Sequence, residues 1–367
     1  MEAQNGKLVN VFIDFKKAFD RVWHTGMFKV MQHYNIPRKL TALIENLYRQ
    51  AVSAVRIGCD ISGWFSQTVG VRQGCVLSPD LFNLFLDHVL GEALEAYEGG
   101  ALVNGQRVSD LRFADDIDLM GETESDAQDI LEATHQSSKK YGLEISREKT
   151  KVMLVAKEDR DITISIDNHK LEQVSHFKYL GTEITQQNTS STDIRCRTAQ
   201  ALAAANNLRV IWQNMRISLK TKLRLLDCLV IPIALYGCET WTLNVSDTKK
   251  LQAFGMKCLR KLLNISWHEH ISNKEVAARA SRTEEYIVNK VQHRQHTWLG
   301  HVLRMEGKRL PKMSLQAHAH HTRYKGRPRK SWIDTALEGS GLELKPAIQM
   351  AHNRDLWRSC IRGTYDR

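Results

Sequence analysis

A carboxylate at the end of a buried strand is the feature that most restricts how this chain can fold. Val9–Phe15 reads VNVFIDF, a short apolar, β-rich run with Asp14 near its end. A run of that length and type forms a core strand, and a core strand needs partners. Several follow. Leu111-Arg112-Phe113 and Ile117–Met120 flank Asp115-Asp116, which predicts a hairpin with two acids at its turn. Ala101-Leu102-Val103 and Gln106-Arg107-Val108 flank Asn104-Gly105, the dipeptide suited to a type I′ turn. Ile162–Ile166 and His176–Ile184, around Asp167-Asn168, predict a further strand pair.

Helical spacing fills the intervals. A helix is expected over about Pro37–Gln50, with Leu40, Leu43, Ile44 and Leu47 on its apolar face. Residues 51–71 alternate like strands. Ser78-Pro79 predicts an N-cap followed by Pro at N1, and the helix behind it is apolar nearly all round (Leu81, Phe82, Leu84, Phe85, Val89, Leu90). Thr123 and Asp126 resemble a capping box that opens a helix to about Tyr141. From about Thr192 the pattern is helical and basic. The expected fold class is α+β: an antiparallel sheet with helices, then a helical and basic remainder.

An acid at a strand end facing an acid pair in a neighbouring turn has a chemical use. Nucleotidyl transfer to a 3′-end employs two divalent ions about 3.5–4 Å apart, and hard cations take carboxylate oxygens. Like charges cluster in a fold where metals neutralise them. An Asp-Asp turn alone is more commonly a plain hairpin turn, and it would also suit a metal-dependent nuclease.

Five segments together are more specific. FIDFKKAFD (Phe12–Asp20), RQGCVLSP (Arg72–Pro79), FADD (Phe113–Asp116), YGLEISREKTKVM (Tyr141–Met153) and FKYLGTEI (Phe177–Ile184) stand in this order. They resemble consecutive blocks of the reverse transcriptases of non-LTR retrotransposons, the LINE and jockey-like elements. CETWTL (Cys238–Leu243), WLGHVLRM (Trp298–Met305) and KGRPRKSW (Lys325–Trp332) extend the resemblance more loosely. It implies a polymerase palm with partial fingers over residues 1–188, a helical thumb over 189–245, and a basic nucleic-acid-binding region over 246–367. It implies RNA-directed DNA synthesis with two Mg²⁺ or Mn²⁺ ions held by Asp14, Asp115 and Asp116. Lys149 would protonate or steady the departing pyrophosphate. Phe19 would be the steric gate against ribonucleotides, and Arg72, Gln73 and Gly74 would lie at the incoming nucleotide. Tyr179, Leu180 and Gly181 would form the primer grip. The partners implied are an RNA template, a DNA primer and deoxynucleoside triphosphates.

Charge is distributed to match. Residues 1–155 carry 17 Lys/Arg and 21 Asp/Glu, residues 156–367 carry 35 and 20, so the net +11 arises from −4 and +15. A basic excess of this kind is either a solvated helix surface or a polyanion-binding face. Arg195, Arg197, Arg209, Arg216, Lys220, Lys222 and Arg224 suit a thumb that tracks phosphates. Lys325, Arg327, Arg329 and Lys330 lie around Gly326 and Pro328 in a segment that resembles an AT-hook for AT-rich DNA. The same segment reads equally well as a basic loop or a nuclear import signal. His268, His270, Cys258, His318, His320 and His321 lack zinc-ligand spacing.

Seven unpaired-looking Cys and no leader-like start predict reduced thiols in an intracellular protein. The expected location is nuclear with a cytoplasmic ribonucleoprotein phase, and no run is long enough to span a membrane. The opening lies close to Asp14, where the family normally carries fingers and an endonuclease. The expectation is therefore an N-terminally truncated polymerase. The alternative is a catalytically impaired remnant that binds nucleic acid.

Overall fold

The computed structural model describes residues 7–95, 97–156, 160–319, 331–338 and 340–365. The chain divides into two compact units, Met1–Leu180 and Gly181–Arg367.

In the first unit five strands form one sheet: β1 (Leu8–Ile13), β2 (Asp110–Phe113), β3 (Asp116–Gly121), β4 (Lys151–Val155) and β5 (Glu172–Gln173). Their spatial order is β5-β4-β1-β3-β2. All neighbours are antiparallel except β4 and β5, which pair in parallel. β1 is central because it is buried along its whole length and apolar apart from Asn10.

Strand alternation gives the sheet two different faces. Val9, Val11, Ile13, Ile117, Leu119, Val152 and Leu154 point into a core with the helices Ser78–Leu94 and Glu124–Lys140, among Phe82, Phe85, Val89, Ile130 and Leu131. Asn10, Phe12, Asp116, Asp118, Met120 and Met153 occupy the other face, as their cross-strand pairing requires. There Phe12 stacks on Phe177 with ring centroids 4.1 Å apart.

Several expectations hold. Asn104 and Gly105 both have positive φ, +49° and +79°, between the paired Val103 and Gln106. Thr123 caps the Glu124–Lys140 helix by accepting from the Asp126 amide at 3.1 Å. The Asp126 carboxylate accepts from the Glu122 amide instead of closing the box at Thr123.

Others are corrected. The helix Arg38–Arg49 buries Thr41, Ile44 and Tyr48, and leaves Leu40, Leu43 and Leu47 about half exposed. Tyr48 turns it, packing edge-on against His24 and Phe28. A large ring anchored by two neighbours removes more apolar surface from water than one leucine does. Ser78 is the first residue of its helix, Leu77 stands at the cap position, and no side chain caps it. Asp167-Asn168 joins Ser165–Ile166 to His169–Lys170, not to the 176–184 segment. Residues 51–71 form only two-residue ladders, with Ile57, Ile61, Trp64 and Phe65 exposed.

The second unit is helical. Ser191–Asn207, Val245–Leu262 and Tyr286–Arg304 enclose one core that includes Ile194, Ala201, Trp212, Leu235, Trp241, Leu251, Leu259 and Val291. That core runs without interruption across position 245, where sequence placed the end of the thumb. The buried Asp193 accepts from the Trp241 indole at 2.8 Å, and Gln295 donates to the carbonyls of Cys238 and Trp241. The CETWTL segment is therefore a packing element. In WLGHVLRM, a Cβ at Gly300 would meet the Trp357 indole 2.0 Å away, so only glycine lets those two pieces pack. No helix among the described residues is long and apolar enough to cross a membrane.

Candidate active site

The acids meet at one end of the palm-like sheet. Ile13 pairs with Ile117, so the register, continued by one residue, sets Asp14 opposite Asp116. Phe113 pairs with Asp116, which leaves Ala114 and Asp115 as the turn. Asp116 is thus the first residue of β3 and not a turn residue as the sequence suggested. Ala114 holds φ +53°, a conformation that costs a residue with a Cβ. This tight turn sets Asp115 beside the strand end.

The carboxyl of Asp116 is raised above its usual range, chiefly by desolvation, then by the charges of Asp115 and Asp14. Asp14 Oδ1 is buried and accepts no hydrogen bond. Lys149 Nζ lies 3.4 Å from it. The Lys149 segment is stitched to the strand end: Ser146 N donates to Asp14 O at 2.7 Å, Asp14 N to Thr150 Oγ1 at 3.3 Å, and Lys16 N to Glu144 O at 2.8 Å.

Carboxylates at Asp14, Asp115 and Asp116, with Asp115 and Asp14 both repelling Asp116 and with one Asp14 oxygen that accepts no hydrogen bond, are a donor set that suits a hard divalent cation. Magnesium or manganese fits this chemistry. Among the described residues, no three His, Cys, Asp or Glu side chains are already grouped to hold a metal ion.

Tyr179 reaches the same region, its hydroxyl 3.3 Å from Leu111 O and 3.4 Å from Asp116 O. Burial first, then Asp118, Asp116 and Asp110, push its pKa well up, so it stays a neutral donor. Leu180 follows at φ +47°. Gly181, at φ +81°, belongs to the second unit, where the Arg197 guanidinium bonds its carbonyl.

Phe19, Arg72, Gln73 and Gly74 form a second group. Ala18–Arg21 is a single helical turn. From it Phe19 O accepts from Val71 N at 2.8 Å, and Asp20 accepts from Gln73 Nε2 at 3.3 Å. The Phe19 ring stacks on Phe82 with centroids 4.2 Å apart, half-buried and not free-standing. Gly74 has φ +84° and open space above its α-carbon, so a backbone requirement and not a close neighbour selects glycine there. Arg72 is exposed.

Sequence reasoning missed the polar pair behind the acids. Asn10 Nδ2 donates to both Asp118 oxygens, at 3.0 and 2.8 Å, and both residues are buried. Burial lifts the Asp118 carboxyl to about 8 against the effect of that bond. The signal was present: Asn10 and Asp118 interrupt apolar strands at the same parity as Asp14 and Asp116.

The expected thumb cations divide. Arg195, Arg209, Arg216, Lys220 and Arg224 are exposed. Lys222 is buried and donates to Trp212 O at 2.6 Å, while Arg197 is paired with Asp193 and lies over the Tyr236 ring. Those two hold the fold together. Cys258 is buried in the core and His268 is exposed, and His270 follows it in the same exposed loop. Lys325, Arg327, Arg329 and Lys330 lie outside the described residues, as do His320 and His321.

Comparison with known proteins places this arrangement. Residues 1–184 match the family model described as reverse transcriptase (RNA-dependent DNA polymerase). An uncharacterized transposon-derived protein of Caenorhabditis elegans is 28% identical over 71% of this chain and 97% of its own length. The RNA-directed DNA polymerase from the mobile element jockey of Drosophila melanogaster is 23% identical over 73% of this chain. The chain spans only 30% of the jockey enzyme's length. A Candida tropicalis telomerase solved with a fragment of telomeric RNA aligns at 13% identity and TM-score 0.38, over 86% of this chain and 50% of that one. The family match covers half of the sequence and contains every acid of the site. The chain belongs to the reverse transcriptase family, of the non-LTR retrotransposon kind.

Proposed function

We propose that the chain carries the catalytic centre of an RNA-directed DNA polymerase that extends a primer 3′-end by two-metal nucleotidyl transfer. The observation that carries this reading is the convergence of Asp14, Asp115 and Asp116 at one sheet end, with Asp14 Oδ1 buried and unbonded.

Asp14, Asp115 and Asp116 would hold two magnesium ions, which supply the positive charge that activates a hydroxyl and steadies a leaving pyrophosphate. The protein's own residues do the rest. Lys149, tethered beside Asp14, is in position to neutralise or protonate a leaving oxygen. The Phe19 ring, stacked on Phe82, would be the gate that excludes a 2′-hydroxyl. Gln73, held by Asp20, and the open backbone at Gly74 would lie against the incoming nucleotide. Tyr179 donates to the backbone of the catalytic hairpin and fixes the primer-grip segment to it. The template is RNA, the primer DNA and the substrates deoxynucleoside triphosphates.

Two observations favour a second reading. Lys149 already partners Asp14, and the acids are not grouped as a shell, which suits a remnant that binds nucleic acid without catalysis. Primer extension on an RNA template with Mg²⁺ separates the two, with Asp14→Asn as control. Extension that Asp14→Asn abolishes supports the polymerase. Binding without extension supports the remnant, and extension that survives the substitution removes Asp14 from the centre.

A further inference from the structure

The second unit contains an aromatic side chain that its own fold does not use. Trp267 is 74% exposed, so it contributes almost nothing to the core. Yet the turn that bears it is firmly held. The residue begins a single helical turn, Trp267–Glu269, closed by a capping box. Ser266 N donates to Glu269 Oε1 at 2.6 Å, and His268 N to Ser266 Oγ at 3.4 Å. Both flanks of the loop are tied to one arginine. Ile265 N donates to Arg260 O at 2.9 Å, and the Arg260 guanidinium donates to Ile271 O at 2.9 Å and Asn273 Oδ1 at 2.8 Å. The His268 imidazole lies against the indole with centroids 3.7 Å apart and the rings tilted by 32°, and most of the indole remains open to solvent.

The surroundings are basic. Between Lys257 and Glu275 stand Lys257, Arg260, Lys261 and Lys274 against two acids, Glu269, which the capping box occupies, and Glu275, which pairs with Arg279. Among the described residues no acid forms an ion pair with Lys257, Lys261 or Lys274. An open indole in a field of free cations is complementary to a stacked base whose phosphates carry negative charge. A double helix has no base face to offer it. The firm turn matters as well, because a ring carried on an ordered backbone loses less freedom on binding.

We infer that Trp267, backed by His268, is a stacking platform for an unpaired base of single-stranded nucleic acid. The site lies in the second unit. It does not depend on polymerase activity.

The test is binding of the full chain, without Mg²⁺ or nucleotides, to a labelled oligothymidylate, an oligoriboadenylate and a duplex of equal length. Trp267→Ala should weaken both single strands by about tenfold or more. It should leave duplex affinity and melting temperature unchanged, and it should not alter the salt dependence, since no charge is removed. Trp267→Phe should retain most of the single-strand affinity. Unchanged single-strand binding in Trp267→Ala would overturn the assignment, leaving the indole to a protein partner. An equal loss on single strand and duplex would overturn it too, as would a Trp267→Phe variant no better than Trp267→Ala.

Discussion

Lys149 Nζ stands 3.4 Å from Asp14 Oδ1, an oxygen that is buried and accepts no hydrogen bond. A long lysine side chain thus sets a cation beside a carboxylate that has no other partner. Beside that pair Asp116 feels the charges of both Asp115 and Asp14, and this repulsion has measurable consequences.

Asp115→Asn removes one of the charges that raise Asp116. In the absence of divalent ions it should stabilise the chain, by about 0.5–1 kcal/mol once solvent screening is counted. Added Mg²⁺ should raise the melting temperature of the native chain by linkage and that of Asp115→Asn much less. Thermal melts of both proteins with and without Mg²⁺ check this. An equal Mg²⁺ response would detach Asp115 from any metal.

Phe19 is both a core-facing ring and the proposed gate. Because it stacks on Phe82, Phe19→Ala should cost about 1–3 kcal/mol of stability, near the lower end for a half-buried ring. The same variant should admit ribonucleotides while still using deoxynucleotides. Melting and nucleotide-competition assays on one preparation read the two effects separately. Undiminished discrimination in a folded variant would return Phe19 to packing alone.

The cations of Gly181–Arg367 should separate by burial. Lys222→Ala removes the bond to Trp212 O and should destabilise the unit by about 1–3 kcal/mol. Its effect on salt-dependent duplex binding should be small. Arg216→Ala and Lys220→Ala should do the reverse, each lowering the slope of log affinity against log salt by about 0.9 for every phosphate that the side chain neutralises. Denaturation and salt titrations of the three variants decide it, and a flattened slope in Lys222→Ala would contradict the division.

His296 is fully buried beside Trp357, and burial, helped by His293, lowers its pKa to about 4. The unfolded chain takes up a proton near the ordinary value of about 6.5 while the folded chain does not. Stability is therefore undiminished above about pH 6.5 and falls as pH drops towards 4, by roughly 1.4 kcal/mol per unit at most. Replacing the ring with His296→Met should flatten that acid limb. Urea midpoints between pH 7 and 4.5 test this, and an identical slope in both proteins would assign the acid loss elsewhere.

Much of this molecule was legible in its sequence, because the relevant signals are local. Alternation and run length marked β1 and the 111–120 hairpin. Asn104-Gly105 marked the turn of the separate 101–108 hairpin because both residues tolerate positive φ. Asp14, Asp115 and Asp116 stood out because acids at the ends of apolar strands are costly without a purpose. Other features depended on partners distant in the chain. Which stripe of the Arg38–Arg49 helix faces inward was decided by His24 and Phe28 meeting Tyr48. Lys222 and Arg197 read as phosphate-binding cations until Trp212 O, Asp193 and Tyr236 were found around them. Asn10 and Asp118 are 108 residues apart and bond only because the antiparallel register sets them on adjacent strands of one face. Periodicity reports which residues share a face. What that face meets, and whether a charge there is free or already paired, is decided by long-range packing, since burial and Coulomb energy depend on distance in space and not along the chain.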